Sequence, residues 1–366
     1  MTTSAAIVLK NNTERPVLIM AGGTGGHIFP GLAVAEELSQ RNVPVVWLGA
    51  DGGLETRLVP QQRVPLETLN IGGLRGKGIG TLVRTPLRLA RAVFAARMLL
   101  KRHAPRSVLA LGGYAAAPGG IAARLARIPL VVHEQNRIPG VTNRLLARFA
   151  QRVLTGFPDA FAQAEWVGNP VRASIAALPA PATRYAGREG SLHLLVLGGS
   201  QGAQSLNAAL PEVLRHRGSR LAVAVRHQCG AKHFDKARAA YLAAGIEADV
   251  VPFEDDMAAS YAWADLAICR AGALTLAELA AAGVPAILVP YPHAVDDHQT
   301  RNAEAMVAAG AARLVAEGDD FVKRLGIAFE EIGDRTQLVK MAEAARTQAK
   351  PDAARRIADV CLEVAA

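Results

Sequence analysis

The feature that most constrains this chain is the alternation of short apolar runs with longer helical segments. The Ala- and Leu-rich segments between most of the runs repeat their apolar residues with a helical period. Continuous apolar strands that alternate with helices are typical of parallel sheets covered on both faces. The predicted strands are 17–20, 43–48, 107–111, 130–133, 152–155, 193–197, 221–226, 248–251, 266–268 and 286–289.

Glycine-rich loops follow three of these strands. The segment VLIMAGGTGGHIFPGLAVAEEL (17–38) runs from an apolar strand through a glycine turn into a helical pattern that starts near Pro30. The segment LHLLVLGGSQGAQSLNAAL (192–210) repeats this arrangement, and VLALGGYAAAPGG (108–120) is a third strand that ends in glycines. Such a loop presents the N–H groups of a helix N-terminus to an anion.

The spacing of the glycines excludes two common nucleotide-binding motifs. Ile28 stands where a dinucleotide fingerprint that begins at Gly23 needs its last glycine, and no Gly-Lys-Ser/Thr follows to make a P-loop. Because one comparable loop opens each half of the chain, we predict an α/β protein with two doubly wound, Rossmann-like domains that face each other across a cleft. Ligands of such folds bind at the carboxyl ends of the strands.

The charge of the chain is concentrated in its first half. The net charge is +9, and residues 1–172 carry 21 Lys/Arg against 9 Asp/Glu, whereas residues 173–366 carry 20 against 23. Residues 68–133 contain 11 basic residues and no acidic one. This segment predicts an anionic partner, which could be phosphate, nucleic acid or an acidic membrane surface. Nucleic acid is disfavoured because the basic segment lacks interleaved aromatic residues and matches no known binding module.

Other features indicate a cytoplasmic protein. Cys229, Cys269 and Cys361 are widely spaced, which predicts reduced thiols rather than disulfides or metal ligands. The first 15 residues lack the basic region and apolar length of a signal peptide, so we expect a loose extension. Charges, Gly or Pro interrupt every apolar run before it could cross a membrane.

Polar residues cluster where the carboxyl ends of predicted strands should lie. The strand PLVV runs directly into His133, Glu134, Gln135 and Asn136, and a denser cluster extends from 269 to 306. In that cluster, Gly272 precedes a helix whose first turn would contain Thr275 and Glu278. These two side chains fit a capping box. Alternatively, the helix N-terminus could bind a diphosphate while Glu278 binds the hydroxyls of a ribose.

Seven motifs occur in order along the chain: GGTGGHIFP, GGY, HEQN, GNPVR, GGSQGA, the segment from DDM to PYP (255–292), and DDHQTRNA. Together they resemble the MurG family of glycosyltransferases. The resemblance implies a GT-B fold and transfer of N-acetylglucosamine from UDP-GlcNAc to undecaprenyl-diphosphate-linked N-acetylmuramoyl-pentapeptide.

The resemblance also implies a division of labour between the predicted domains. Pro, Gly and Ala are concentrated between Glu165 and Gly190, which places the boundary in that region. We expect an acceptor-binding, membrane-associating domain over 16–168 and a UDP-sugar donor domain over 169–345. Residues 1–15 would be the loose extension, and 346–366 a C-terminal helix that packs back on the first domain.

Matching the family's motifs to this chain implies a set of donor contacts. The UDP-GlcNAc contacts fall on Thr24, Gly25, Gly26, Asn136, Arg172, Ser200, Phe253, Glu254, Ala273, Leu274, Thr275, Leu276, Ala277, Glu278 and Gln299. Phe253 and Glu254 would meet the uracil through main-chain groups. The alignment leaves Gln299 and His298 as alternatives beside the sugar.

Inverting glycosyl transfer requires a base at the acceptor hydroxyl and stabilisation of the leaving diphosphate. A histidine can change its protonation state near neutral pH, which makes His27 one candidate base; Glu134 is the competing base, or the partner that orients His27. Helix N-termini and Arg172 could stabilise the diphosphate. No Asp-x-Asp occurs in the chain, so we expect neither a metal nor another cofactor.

The basic segment suggests how the enzyme reaches a lipid substrate. We predict a helix that starts at Thr85-Pro86, with Thr85 as its N-cap. Arg88, Arg91 and Arg102 would lie on one side, aligned with Arg84, beside an apolar stripe of Leu89, Val93, Ala96 and Leu100. We expect this face and the loop GGLRGKGIG (72–80) to lie on the anionic cytoplasmic leaflet of the inner membrane, which makes the protein peripheral.

Two other enzyme classes remain as alternatives. A UDP-GlcNAc epimerase shares the two-domain fold but needs no lipid acceptor, and the basic, apolar face of the first domain counts against it. A dehydrogenase is a weaker alternative, because the glycine at the end of the dinucleotide motif is missing.

Overall fold

The structure is a computed structural model that describes residues 15–71, 79–199, 202–216, 222–332 and 334–365, with only the backbone described at 79–85 and 295. The described residues form two compact units. Unit 1 contains the residues up to Gln135, Pro139–Pro170, and the residues from Asp352 onward. Unit 2 contains Asn136–Ile138 and Val171–Pro351. Ser200 and most of the loop 72–80 lie outside the described residues.

Unit 1 is built on a parallel sheet of seven strands. The strands are β1 (Val17–Ala21), β2 (Val45–Ala50), β3 (Leu66–Leu69), β4 (Ser107–Gly112), β5 (Leu130–Glu134), β6 (Arg152–Thr155) and β7 (Glu165–Trp166). Their order in the sheet is β3-β2-β1-β4-β5-β6-β7. The helices of this part of the chain are α1 (Gly25–Gln40), α2 (Glu55–Gln61), α3 (Ile79–His103), α4 (Ala116–Leu125) and α5 (Val141–Ala147).

Unit 2 repeats this topology with six strands. They are β8 (Leu192–Leu197), β9 (Val223–Gln228), β10 (Ala248–Val251), β11 (Leu266–Cys269), β12 (Ala286–Leu288) and β13 (Ala312–Leu314), in the order β10-β9-β8-β11-β12-β13 and all parallel. The α-helices are α6 (Ala173–Ala176), α7 (Pro181–Tyr185), α8 (Gln204–His216), α9 (Phe234–Ala243), α10 (Met257–Trp263), α11 (Ala273–Ala282), α12 (His298–Ala308), α13 (Phe321–Glu331) and α14 (Arg335–Thr347). Two 3₁₀-helices span Ala231–His233 and Val295–Asp297.

Side chains alternate between the two faces of each sheet, and β1 illustrates why its sequence is apolar throughout. Val17, Ile19 and Ala21 belong to one buried cluster, whereas Leu18 and Met20 belong to a second cluster on the other face. A strand that is buried on both faces cannot alternate apolar with polar residues. Both sheets therefore have the doubly wound arrangement that the sequence predicts, and the chain has the two Rossmann-like sheets of the GT-B fold.

The ten predicted strands are present, with ends that move by at most two residues, but two predicted helix starts are wrong. Helix α1 begins at Gly25, because Thr24 adopts the extended conformation of an N-cap and its carbonyl accepts from the N–H groups of His27 and Ile28. Helix α3 begins at Ile79, so Pro86 lies inside it and Thr85 is not its N-cap. A proline there removes one backbone hydrogen bond, which helices can tolerate when packing stabilises them.

The predicted apolar stripe of α3 packs against the core of unit 1, so the expectation that this stripe lies on a membrane surface is wrong. Ala96 and Leu100 are buried in the same cluster as Leu18, and Val93 packs against that cluster. The opposite face of the helix exposes three other large apolar side chains, Leu87, Phe94 and Met98. Among the described residues, no helix is both long and apolar enough to cross a membrane.

The last helix, α15 (Ala353–Glu363), belongs to unit 1 although it follows the whole of unit 2. Ile357 and Cys361 are completely buried in the cluster that contains the core residues of α1. The Ser107 hydroxyl donates to the Cys361 carbonyl at 2.7 Å. Arg356 donates to Glu165 at 2.6 Å, and with Arg152 it lowers the pKa of that carboxyl group. Helix α15 therefore completes the core and the edge of unit 1.

We predict that Ile357→Ala lowers the free energy of unfolding by about 2–5 kcal/mol, because it leaves a cavity in a closed core. Arg355→Ala, on the exposed side of the same helix, should change it by less than about 1 kcal/mol. Chemical denaturation of both variants checks this. Equal stabilities would mean that α15 does not contribute to the core of unit 1.

Candidate active site

The strand order places one candidate site at the carboxyl edge of each sheet. In unit 1, β1 pairs with β2 on one side and with β4 on the other, and in unit 2 the corresponding strands are β8, β9 and β11. At such a switch point the two following connections pass to opposite faces of the sheet and leave a crevice between them. The predicted glycine loops and the loop before α11 all emerge at these positions.

In unit 1, the glycine loop leads into the N-terminus of α1. Thr24 and Gly26 are exposed, Gly25 is half-buried, and Thr24 makes no side-chain cap bond. His27 follows in the first turn, and its Nδ1 lies 3.2 Å from the carbonyl oxygen of Gly22. Because a carbonyl only accepts, Nδ1 carries the proton, and Nε2 is the ring nitrogen that can accept one.

The glycine pair of the GGY motif makes room for the His27 ring. Gly112 and Gly113 have φ of +120° and +89°, which favours glycine. A Cβ atom on Gly112 would lie 2.9 Å from His27 Nε2, and one on Gly113 would lie 2.5 Å from the Gly22 carbonyl oxygen. The glycines at the end of β4 therefore allow the His27 ring and the Gly22 peptide of the first glycine loop to pack against this strand.

Glu134 lies at the end of β5, and its carboxylate accepts hydrogen bonds from the start of α5. Its side chain is 1% exposed, and Oε2 accepts from the backbone N–H of Gly140 at 3.1 Å and from Asn143 Nδ2 at 2.8 Å. Gly140 is the N-cap of α5. The carboxylate thus satisfies a backbone donor at a helix N-terminus, where a negative charge is stabilised by the helix dipole.

His133 and Gln135 are buried rather than placed at an open rim. His133 Nε2 donates to the Gly168 carbonyl at 2.9 Å, and Nδ1 accepts from Gln135 Nε2 at 3.0 Å. Burial lowers the pKa of His133 to about 4, so the ring is neutral at physiological pH. Asn169 Nδ2 donates to the Gln135 carbonyl at 3.0 Å. These bonds join the HEQN motif to the GNP motif.

Asn136, the last residue of the HEQN motif, belongs to unit 2. Asn302 holds it there: Nδ2 of the completely buried Asn302 donates to Asn136 Oδ1 at 3.2 Å and to the Ala271 carbonyl at 3.3 Å. The Asn302 Oδ1 atom accepts from the backbone N–H of Arg137 at 2.9 Å. Asn302 therefore joins Asn136 to the loop that precedes α11, a role that sequence reasoning missed although Asn302 stands in the DDHQTRNA motif.

The N-terminus of α11 is the other part of the unit 2 site. Gly272 is its N-cap, in an extended conformation and without a side-chain cap bond, and the predicted contacts Ala273–Glu278 form the first turns. Thr275 is the third residue of the helix, so the capping-box interpretation, which needs Thr275 as the N-cap, is wrong. The N–H groups of this end point along the helix axis and favour an anion.

Glu278 makes two side-chain bonds away from the helix end. Its Oε1 accepts from Arg172 at 2.8 Å, and its Oε2 accepts from the Tyr261 hydroxyl at 3.0 Å. The Glu278 side chain is 7% exposed. Burial raises the pKa of Tyr261 well above its usual value, and the charge of Glu278 adds to this effect. The bond brings Arg172, the last residue of the GNPVR motif, next to α11, and each carboxylate oxygen can accept a further donor.

The remaining predicted contacts lie on loops of unit 2. The side chain of Glu254 accepts from the Asp256 N–H at 3.1 Å and from the Ser260 hydroxyl at 2.7 Å, which fixes the backbone beside the exposed Phe253. Gln299 Oε1 accepts from the Tyr291 N–H at 2.9 Å. His298 is the first residue of α12. Within the described ranges, no three His, Cys, Asp or Glu side chains form a group that could hold a metal ion.

Comparison with known protein families gives two matches. Residues 17–155 match the glycosyltransferase family 28 N-terminal domain, and residues 193–357 match the glycosyltransferase family 28 C-terminal domain.

Relatives of this chain carry the name UDP-N-acetylglucosamine–N-acetylmuramyl-(pentapeptide) pyrophosphoryl-undecaprenol N-acetylglucosamine transferase, and two of them illustrate the similarity. The one from Xanthomonas euvesicatoria pv. vesicatoria is 60% identical over 352 residues, which cover 96% of this chain and 81% of the relative. The one from Xylella fastidiosa is 57% identical over 351 residues, which cover 95% of this chain and 96% of the relative.

Solved structures agree with this similarity. Acinetobacter baumannii MurG superimposes with a TM-score of 0.82 at 39% identity, covering 95% of this chain and 99% of that one. UDP-GlcNAc 2-epimerase from Neisseria meningitidis superimposes with a TM-score of 0.64 at 13% identity, covering 95% of this chain and 100% of the epimerase chain. At that identity the epimerase shares the fold alone.

We predict that Glu278→Ala lowers the free energy of unfolding by about 1.5–3 kcal/mol, because a buried charged acceptor is lost and its two donors are left behind. Glu330→Ala, at an exposed position of α13, is the matched control and should change it by less than about 0.5 kcal/mol. Chemical denaturation followed by circular dichroism measures both. Unchanged stability of Glu278→Ala would show that the Arg172–Glu278–Tyr261 cluster contributes nothing to unit 2.

Proposed function

Because the chain belongs to glycosyltransferase family 28, we propose that it transfers N-acetylglucosamine from UDP-N-acetylglucosamine to N-acetylmuramyl-(pentapeptide) pyrophosphoryl-undecaprenol in peptidoglycan synthesis. The observation that carries the proposal is the 60% identity, over 96% of this chain, to a transferase named for this reaction. His27, Glu134 and Glu278 lie within the matched domains, and Arg172 lies in the segment between them.

The donor site in this proposal is the carboxyl edge of the unit 2 sheet. The N-terminus of α11 receives the diphosphate, and Glu278 accepts hydrogen bonds from the ribose hydroxyls while it keeps Arg172 in place. Phe253 and Glu254 offer main-chain groups to the uracil, and Gln299 lies at the sugar. Thr24, Gly25, Gly26, Asn136 and Ser200 complete the proposed contacts.

The catalytic base in this proposal is His27. Its Nδ1–H donates to the Gly22 carbonyl, and Nε2 takes the proton of the acceptor hydroxyl. The hydroxyl oxygen forms a bond to C1 of the sugar as the bond from C1 to the diphosphate oxygen breaks. A single displacement of this kind inverts the configuration at C1. Glu134 is less suited to the role because its carboxylate caps α5.

Departure of UDP requires stabilisation of a growing negative charge. The N-terminus of α11 supplies backbone N–H groups, and Arg172, which is bonded to Glu278, supplies a guanidinium. We propose that these groups replace a metal ion. The reaction should therefore continue in the presence of a chelator.

The acceptor is a membrane lipid, and the exposed face of α3 offers a surface for its membrane. Leu87, Phe94 and Met98 are spaced seven and four residues apart and share one side of the helix, with Arg91 and Lys101 exposed beside them. Apolar side chains flanked by basic ones suit the surface of an anionic bilayer. We propose peripheral attachment at the cytoplasmic face of the inner membrane.

The proposed reaction is tested with UDP-GlcNAc labelled in the sugar and a lipid-linked muramyl-pentapeptide analogue, with and without chelator. Label in the lipid product under both conditions supports it. Conversion of UDP-GlcNAc to its 2-epimer without any transfer would instead favour the epimerase alternative.

We predict that His27→Ala lowers turnover by about 10²–10⁴-fold with little change in UDP affinity, because a general base acts only in the chemical step. His216→Ala, an exposed histidine of α8, is the control and should keep its turnover. Steady-state rates and calorimetric UDP titrations measure both quantities. Near-normal turnover of His27→Ala would make Glu134 the better candidate.

We predict that Arg88→Glu/Arg91→Glu reduces co-sedimentation with liposomes of rising anionic lipid content, because each basic group near such a surface contributes about 1 kcal/mol. Phe94→Ser should reduce binding at every lipid composition. Lys323→Glu/Lys340→Glu makes the same change of charge on exposed positions of unit 2 and should bind like wild type. If all four proteins sediment equally, α3 is not the membrane-binding face.

A further inference from the structure

Glu55 is a buried carboxylate that none of the motifs predicted. It is completely buried at the start of α2, and among the described residues no cation lies within ion-pair distance of it. Its Oε1 accepts from the backbone N–H of Ala50 at 2.9 Å, and its Oε2 accepts from the backbone N–H of Gly23 at 3.1 Å. A buried charge that is held only by backbone donors is costly, which calls for an explanation.

The surroundings of Glu55 are shaped to admit this carboxylate. A Cβ atom on Gly22, Gly49 or Gly53 would collide with the Glu55 side chain. These three glycines come from the end of β1, the end of β2 and the turn before α2. Gly49 and Gly53 lie outside the glycine loop itself, so their lack of a side chain relates to Glu55 rather than to a substrate.

A single peptide group lies between Glu55 and His27. The N–H of Gly23, which donates to Glu55, and the carbonyl of Gly22, which accepts from His27 Nδ1 at 3.2 Å, are the two ends of one amide. A carboxylate bonded to the N–H end polarises the amide and makes its oxygen a stronger acceptor. The negative charge of Glu55 thus reaches the histidine through two successive hydrogen bonds.

We propose that Glu55 is a positioning residue for His27 and acts through the Gly22–Gly23 peptide. The carboxylate holds this peptide with its oxygen towards the ring and so keeps the imidazole proton on Nδ1. Nε2 is then the nitrogen that takes the proton of the acceptor hydroxyl. The consequence for catalysis rests on the proposed function, whereas the effect on the histidine tautomer does not.

Replacement by glutamine separates this role from simple packing. Glu55→Gln keeps the shape of the side chain but offers one acceptor oxygen to two N–H donors, so the amide of Gly22–Gly23 loses its polarisation or its position. We expect turnover to fall by about 10- to 100-fold, by analogy with the loss of a hydrogen-bond partner behind a metal-binding histidine. The KM for UDP-GlcNAc should stay unchanged, because Glu55 contacts no substrate group.

The direct readout is the nitrogen spectrum of His27. In protein labelled with ¹⁵N-histidine, long-range ¹H–¹⁵N correlation distinguishes a protonated from an unprotonated ring nitrogen, and His27→Ala identifies the signals. We expect wild type to show Nδ1 protonated and Nε2 unprotonated at neutral to alkaline pH. In Glu55→Gln, the two shifts should move towards each other as the second tautomer becomes populated.

Three further variants complete the test. Gly53→Ala keeps the charge of Glu55 but displaces its Oε2, so the two His27 shifts should again move towards each other. This variant tests the proposal even if Glu55→Gln does not fold. Glu55→Asp keeps a carboxylate and should therefore recover part of the wild-type turnover and of the wild-type difference between the two nitrogen shifts. Glu36→Gln removes the same charge from an exposed position of α1 and should leave both the spectrum and the turnover as in wild type.

Identical His27 shifts in wild type, Glu55→Gln and Gly53→Ala would overturn the proposal, even if turnover fell. A spectrum of Glu36→Gln that changed as much as that of Glu55→Gln would also overturn it. If the wild-type protein transfers no N-acetylglucosamine, the proposed function fails, and the nitrogen shifts still decide whether Glu55 positions His27.

Discussion

Both units depend on the strand pairing that places β1 between β2 and β4, and β8 between β9 and β11. At each switch point, between β1 and β4 and between β8 and β11, the connections that follow the two strands pass to opposite faces of the sheet. The carboxyl ends of these strands are therefore not covered by their own helices. In unit 1 this position receives the His27 ring and the glycines of β4. In unit 2 it receives the N-terminus of α11. The candidate base and the proposed diphosphate site are both placed by this one topological feature.

The central strands could be predicted from the sequence because burial on both faces makes them continuously apolar. The strands β3, β7 and β13 were missed, and all three lie at or beside the edge of a sheet. Their residues include Glu67, Glu165 and Arg313, since one side of an edge strand faces solvent or an ion-pairing partner. The starts of α1 and α3 were missed because Gly-Gly and Pro contradict helix propensity locally, while tertiary packing decides the outcome.

The motifs identified His27, Glu134 and Arg172, but not the side-chain pairs that build the site. Tyr261 and Asn302 stand in motifs and Glu55 does not, yet none of the three was predicted. Their contacts with Glu278, Asn136 and Gly23 span 17, 166 and 32 positions in the chain. A buried polar side chain finds its partner only after folding, so its function is visible in the structure and not in local sequence pattern.

Helix α15 has a consequence for the synthesis of the protein on the ribosome. Domains generally fold as units while the chain emerges, with the N-terminal one first. Here the N-terminal unit lacks part of its core until residues 353–363 have been made, whereas unit 2 has all its described residues once Pro351 has emerged. The nascent chain therefore exposes the apolar surface of α1 throughout the translation of unit 2. We therefore expect the need of the nascent chain for chaperones to be determined by unit 1 rather than by unit 2.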